Sequence, residues 1–160
     1  MADLVRPDSR PELPVDADVD AVVHYRGPLH LRFRYVYVVF LGGAFGTVAR
    51  WVVGDAVPRL AGLPVPTLAV NLAGSFALGL MLELLARRGP DHGWLRLARL
   101  HFGTGFLGAF TTYSAFAVDT VVLAGQGRWW WAVAYVIATL VSGALLAAAG
   151  IAVASRRHPR

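Results

Sequence analysis

Four long apolar runs, at residues 35–53, 66–85, 98–123 and 129–153, alternate with short polar or turn-rich stretches. At about 1.5 Å per helical residue each run covers roughly 30 Å, the hydrocarbon thickness of a bilayer. The pattern predicts an all-α membrane protein with four transmembrane helices. Polar residues inside the runs are sparse and ordered. On the second run Thr67, Asn71, Ser75 and Gly79 recur every four residues and form one slightly drifting stripe. On the fourth, Tyr135, Thr139 and Ser142 stand at i, i+4 and i+7. The first run carries Gly42 and Gly46 as a GxxxG pair, with Gly43 and Arg50 two turns apart on one face. Small residues at that spacing predict close packing against a neighbouring helix. For the polar stripes two readings are open: interhelical contacts, or the lining of a path for water or ions.

The third run contains the stretch on which the others turn, GTGFLGAFTTYSAF at residues 103–116. Gly103, Gly105, Gly108 and Ala109 are followed by two β-branched threonines, a composition that weakens a helix over two turns. It predicts a third helix broken near its middle. At membrane depth, freed backbone groups must be buried in protein, line a cavity or hold an ion.

Residues 1–34 are rich in Pro and Asp, carry mixed charge and contain no apolar run, which reads as a disordered tail. No secretory signal precedes the first run. The segment at 86–97 reads as a loop and residues 154–160 as a short basic tail, leaving 35–153 as the membrane domain. Three consecutive tryptophans, Trp129 to Trp131, open the fourth run and suit the interfacial belt. Cysteine is absent, which excludes disulfides and thiolate metal sites. All fifteen cationic side chains are arginine. They flank the apolar runs and form no stripe, so membrane anchoring explains the net charge of +5 and nucleic acid binding is not expected. On the side of the termini and the second loop lie Arg26, Arg32, Arg34, Arg87, Arg88, Arg96, Arg99, Arg156, Arg157 and Arg160, against Arg50, Arg59 and Arg128 opposite. Ten against three places both termini in the cytoplasm by the positive-inside rule.

Gly103, Gly105 and Gly108 spell GxGxxG, but no strand precedes them and no βαβ unit surrounds them. Asp119 and Glu83 lie near the ends of their runs, where a wet headgroup position accounts for them, and His101 reads as interfacial. Nothing combines a nucleophile, a base and an orienting group, so no enzyme is expected. What remains is a set of neutral donors (Asn71, Ser75, Thr111, Thr112, Ser114, Thr139 and Ser142) with aromatics Phe106, Phe110, Tyr113 and Phe116. O–H and N–H groups with electropositive ring edges suit a small, dehydrated anion better than a cation.

Three motifs, GGAFGTVARW (42–51), PTLAVNLAGSFALG (66–79) and GTGFLGAFTTYSAFAVD (103–119), resemble those of the Fluc (CrcB) fluoride channels of prokaryotes in order and spacing. The resemblance covers all four runs. It implies a multi-pass cell-membrane protein that forms antiparallel dimers and lets fluoride leave the cytoplasm. It further implies a fluoride path past Asn71, Ser75, Tyr113, Ser114, Phe116, Thr139 and Ser142. A structural sodium ion at the dimer interface would be held by the backbone carbonyls of Gly108 and Thr111. The sequence departs from the family at Tyr113 and Ala115, where the pattern has phenylalanine and threonine, and at Ala109, where it has glycine. The arginine bias departs too, because a subunit inserting in both orientations needs balanced flanks. The expectation is a heterodimer with an oppositely oriented paralogue. A small multidrug-type proton-coupled exporter also has four helices, but it needs a carboxylate in the middle of the first run, and residues 35–53 contain none.

Overall fold

In the computed structural model, residues 32–157 are described. The tail expected at 1–34 thus lies outside the described residues up to 31, and residues 158–160 do as well. The chain is all-α. Helix α1 (Phe33–Ala56) is followed by α2 (Val65–Arg87). The third span comprises α3 (Gly93–Ala98), a π-helical stretch (Arg99–Leu107), a single turn α4 (Gly108–Phe110) and α5 (Tyr113–Gly125). Helix α6 (Trp129–Arg157) completes the set. All four spans are long and apolar enough to cross a membrane.

The helices outrun the apolar runs at several ends. Phe33 and Arg34 belong to α1, and α6 continues through Arg157, so neither flank is wholly a tail. The third span begins at Gly93, five residues before the expected 98, which corrects the loop reading of 93–97. Its start is held by Asp91, whose carboxylate accepts from Arg96 Nε at 3.2 Å and from Arg99 Nη1 at 2.7 Å. Arg96 Nη2 also donates to the Asp91 carbonyl. Helix α2 opens with Pro66 in its first turn, where a missing N–H costs nothing. Helix α5 closes in a Schellman motif: Gly127 takes positive φ, its N–H donates to the Ala124 carbonyl, and the Arg128 N–H reaches back to Leu123.

Lipid tails are as apolar as leucine, so these helices associate through close backbone approach rather than through burial of grease. On α1, a methyl at Gly42 would collide with the His101 carbonyl and one at Gly46 with that of Phe106. From the other side, a methyl at Gly105 would lie 2.6 Å from the Val39 carbonyl. Helix α1 therefore lies backbone to backbone on the π-helical stretch. The pair α2 and α6 repeats the device, Gly79 facing the Ala147 carbonyl and Gly150 facing that of Phe76. Phe40, Leu140 and Leu145 are exposed on the outer surface, as lipid-facing residues should be. A small apolar core of Leu123, Ala132 and Tyr135, with Leu63, Leu68 and Phe116 packed on it, joins α2, α5 and α6.

The two carboxylates expected at wet span ends are both engaged. Glu83 accepts from Arg87 Nε at 2.6 Å and from the Ser155 hydroxyl at 3.3 Å, tying α2 to α6. Asp119 is only 6% exposed, which corrects the headgroup reading. It accepts from Arg59 Nη2 at 3.0 Å and from the Thr67 hydroxyl at 2.6 Å. His101 is half-buried, with Nδ1 3.1 Å from the Val38 carbonyl, and so sits between α1 and the third span. Arg59 is more than half exposed, so water screens the pair. Arg59→Gln should therefore cost about 1 kcal/mol, read as a fall of a few degrees in the melting temperature in detergent. Asp119→Ala, which also strips the Thr67 hydroxyl of its acceptor, should cost more. Equal melting temperatures for the two variants would contradict this division.

Candidate functional site

The chain leaves helical dihedrals at Thr111 (φ −74°, ψ 158°) and Thr112 (φ −148°, ψ 120°), between α4 and α5. The glycines before them are wound, Gly103 and Gly105 in the π-helical form. Gly105 serves the contact with α1 and Gly103 lies against Met81 of α2, and the extended residues are the two threonines. β-Branched side chains fit extended backbone, and Thr112 uses its hydroxyl as the N-cap of α5 by accepting from Ala115 N at 3.2 Å.

Asn71, on α2, clamps this point. Its Nδ2 donates to the Thr112 carbonyl at 3.0 Å and its Oδ1 accepts from the Thr112 amide at 2.8 Å. Both polar groups of one peptide residue are thus satisfied by a single carboxamide. Flipping the amide would set donor against donor and acceptor against acceptor, so the hydrogen bonds fix its orientation. The clamp also redirects the backbone. In a continuous helix Thr112 N–H would donate to the Gly108 carbonyl and Ala115 N–H to that of Thr111. The first goes to Asn71 and the second to the Thr112 hydroxyl. Both carbonyls are released from their helical partners. Thr111 O instead receives a long 3.4 Å contact from Arg50 Nη1. Arg50 therefore acts inside the bundle and is not a membrane-flank charge, which makes the flank count ten against two. Gly74 brings α2 close to the same point, since a methyl there would strike the Thr111 side chain.

The other residues singled out from the sequence are distributed around this centre. Tyr113 is 82% exposed and Ser114 is exposed, so the start of α5 looks out of the bundle. The Ser114 hydroxyl lies 3.2 Å from that of Thr112. Phe116 is half-buried, its ring centroid 6.0 Å from that of Tyr113 and 5.4 Å from that of Tyr135, which makes a three-ring file running inward from α5 to α6. Ser75 and Ser142 are half-buried, and the Ser75 hydroxyl lies beside Gly143 on α6. Thr139 donates to the Tyr135 carbonyl of its own helix at 2.7 Å, so its proton points to the backbone. Gly108 is exposed and Thr111 half-buried at the break, while Gly42 and Gly46 serve the contact of α1 with the third span.

Sequence reasoning passed over Asp119, Arg59 and Tyr135 as a group. Tyr135 is buried and its hydroxyl has no hydrogen-bond partner among the described residues. A carboxylate fifty-two residues after its threonine and sixteen before a tyrosine carries no local signal, because the three meet only when α2, α5 and α6 assemble.

Among known proteins, residues 37–151 match the family described as CrcB-like protein, Camphor Resistance (CrcB). The chain is 49% identical over 122 residues to a fluoride-specific ion channel, FluC 1, of Cutibacterium acnes, covering 76% of this chain and 85% of that one. It is also 49% identical over 125 residues to FluC 2 of Leifsonia xyli subsp. xyli, covering 78% and 86%. A FluC of Allorhizobium ampelinum is 46% identical over 120 residues, covering 74% and 94%. With four membrane-length helices and a family match that takes in every one of them, the chain belongs to the CrcB family.

Proposed function

We propose that the chain is a fluoride-selective channel subunit that lets fluoride leave the cytoplasm and so limits its toxicity. The observation that carries the reading is the Asn71 clamp on Thr112, which holds a break open in the third span, with uncharged hydrogen-bonding groups on the Thr112 side and the Arg50 guanidinium kept to the Thr111 carbonyl. A small anion that has shed its water needs donors at close range. A fixed positive charge would bind it too tightly to pass it on. Beside the clamp, the Thr112 and Ser114 hydroxyls and the file Tyr113, Phe116 and Tyr135 offer O–H groups and ring edges. Thr139, Ser142 and Ser75 continue the path along α2 and α6, with Thr139 turning its hydroxyl away from the Tyr135 carbonyl to take part. The step is passive and involves no catalysis.

One subunit offers only half of such a path, because Tyr113 and Ser114 open outward. An antiparallel dimer supplies the missing wall. It also brings two sets of Gly108 and Thr111 carbonyls together, and the redirected amides support a sodium ion there: freed carbonyl oxygens are hard ligands suited to that cation. When bound, the ion pins two broken helices to each other. The arginine bias supports both termini in the cytoplasm and a paralogous partner of opposite orientation.

The test is fluoride efflux from proteoliposomes, followed with an ion-selective electrode, with and without the partner. Electrogenic, fluoride-selective efflux without a proton gradient is expected. Expressed alone in a fluoride-sensitive host, the chain should not restore growth, and rescue without a partner would rule out the heterodimer. A second reading, a supporting subunit whose own path is blocked, is favoured by the added Tyr113 hydroxyl. Under it, Tyr113→Phe raises flux through this subunit's path; unchanged flux rejects it.

A further inference from the structure

At the end of the bundle that carries Arg87 and Arg88, α2 and the first half of the third span diverge and leave a groove of about 310 Å³. Its walls are apolar, with Ala77, Met81 and Leu84 on α2 facing Ala98 and Phe102 across it. The floor closes where the Met81 methyl meets Gly103. At the mouth stand Arg88 and Trp94, the guanidinium carbon 5.9 Å from the ring centroid.

Three features say what fills it. From Ala77 to Arg88 the groove follows eleven helical residues of α2, about 16 Å at 1.5 Å per residue. That is close to half of a hydrocarbon core of about 30 Å, the depth of one leaflet. The charge sits only at the outer end, at the level where an exposed tryptophan and an arginine flank a span. Finally, Arg88 keeps its charge for an outside partner. Its neighbours are engaged, Arg87 with Glu83 and Ser155, and Arg96 and Arg99 with Asp91. Arg88 has no carboxylate partner among the described residues.

We infer that this groove is a binding site for one anionic phospholipid, its acyl chain lying between α2 and the third span and its phosphate on Arg88. A second copy of the chain would match the apolar walls but not the lone cation at one end. A zwitterionic lipid would match the walls but would set its own cation near Arg88. The site is separate from the Asn71 clamp and does not depend on what the subunit conducts.

Native mass spectrometry of the full chain, purified in detergent and supplied with phosphatidylglycerol or phosphatidylcholine of the same acyl composition, tests it. Phosphatidylglycerol should be retained at least tenfold better. Arg88→Gln should abolish that preference, and Ala77→Leu, which fills the deep end, should reduce retention of both lipids. Arg156→Gln, on an exposed arginine away from the groove, should change neither. Equal retention of the two lipids by the unaltered chain, or an Arg88→Gln variant that keeps the preference, overturns the proposal. So does displacement of the lipid by millimolar inorganic phosphate, which would mark a free-anion site. An Ala98→Cys variant that cross-links to a second copy through its only thiol would show the groove to be a subunit contact, and overturns it as well.

Discussion

Asn71→Ala should lower fluoride flux at least about tenfold and destabilise the folded protein. The variant strips two hydrogen bonds from one residue and leaves the Thr112 N–H and C=O without their partner. A buried orphan polar group costs about 1–3 kcal/mol, although hydrogen bonds in membrane proteins average nearer 0.6 kcal/mol each. The site is half-exposed in one subunit, so a combined loss of about 1–3 kcal/mol is the reasonable expectation, and 1.4 kcal/mol already shifts an equilibrium tenfold. The lowest-cost response is local: the Thr112 amide returns to the Gly108 carbonyl and the helix closes across the break. Hydrogen exchange at the Thr112 amide, together with efflux in proteoliposomes, reads this directly. Asn71→Asp keeps an acceptor for the Thr112 amide but sets a carboxylate oxygen against the Thr112 carbonyl. It should impair flux at least as much, since a fixed negative charge also repels the permeating anion. Wild-type flux in Asn71→Ala would remove the clamp from the proposed mechanism.

Gly46→Ala should destabilise the fold far more than the same change eight residues on. The added methyl at Gly46 falls on the Phe106 carbonyl, and both partners are backbone, so no rotamer change relieves the overlap. Overpacking of this kind costs about 1–3 kcal/mol when neighbours can shift and more when they cannot. Separation of α1 from the π-helical stretch is the available relief. It would also draw Arg50 away from the Thr111 carbonyl. Gly54 lies on the same helix with nothing within 4 Å of its would-be methyl, so Gly54→Ala should be neutral or slightly stabilising. Thermal melting in detergent and recovery by size-exclusion chromatography compare the two. Equal melting temperatures would show that the close approach seen at Gly46 is not needed.

The spans were readable because period and length suffice. Runs long enough to cross a bilayer, a proline opening α2 and tryptophans opening α6 need no partner to be recognised. The start of the third span was misjudged because Asp91, Gly93 and Arg96 read as a turn in isolation, whereas the Asp91 carboxylate pairs with Arg96 and Arg99 once the helix forms. Arg50 was counted as a flank charge because, read along the chain, it stands near the end of its run. Its contact with Thr111 lies sixty-one residues away in sequence. Asp119 was misplaced for the same reason, its partners Arg59 and Thr67 lying on other elements.

The stretch at residues 103–116 shows where the division falls. Its composition alone determined that a regular helix would be weak there, since glycine and β-branched residues carry that cost wherever they sit. The same local chemistry determined the four spans, the neutral polar stripes and the membrane setting. Composition could not say which residues would leave the helix, and the tertiary structure assigns the glycines to contact and the threonines to extension. The reason is that a backbone group leaves its helical partner only when a better one is in reach. That partner, the carboxamide of Asn71, arrives from another helix, and its position is decided by how α2 packs and by no pattern within the third span.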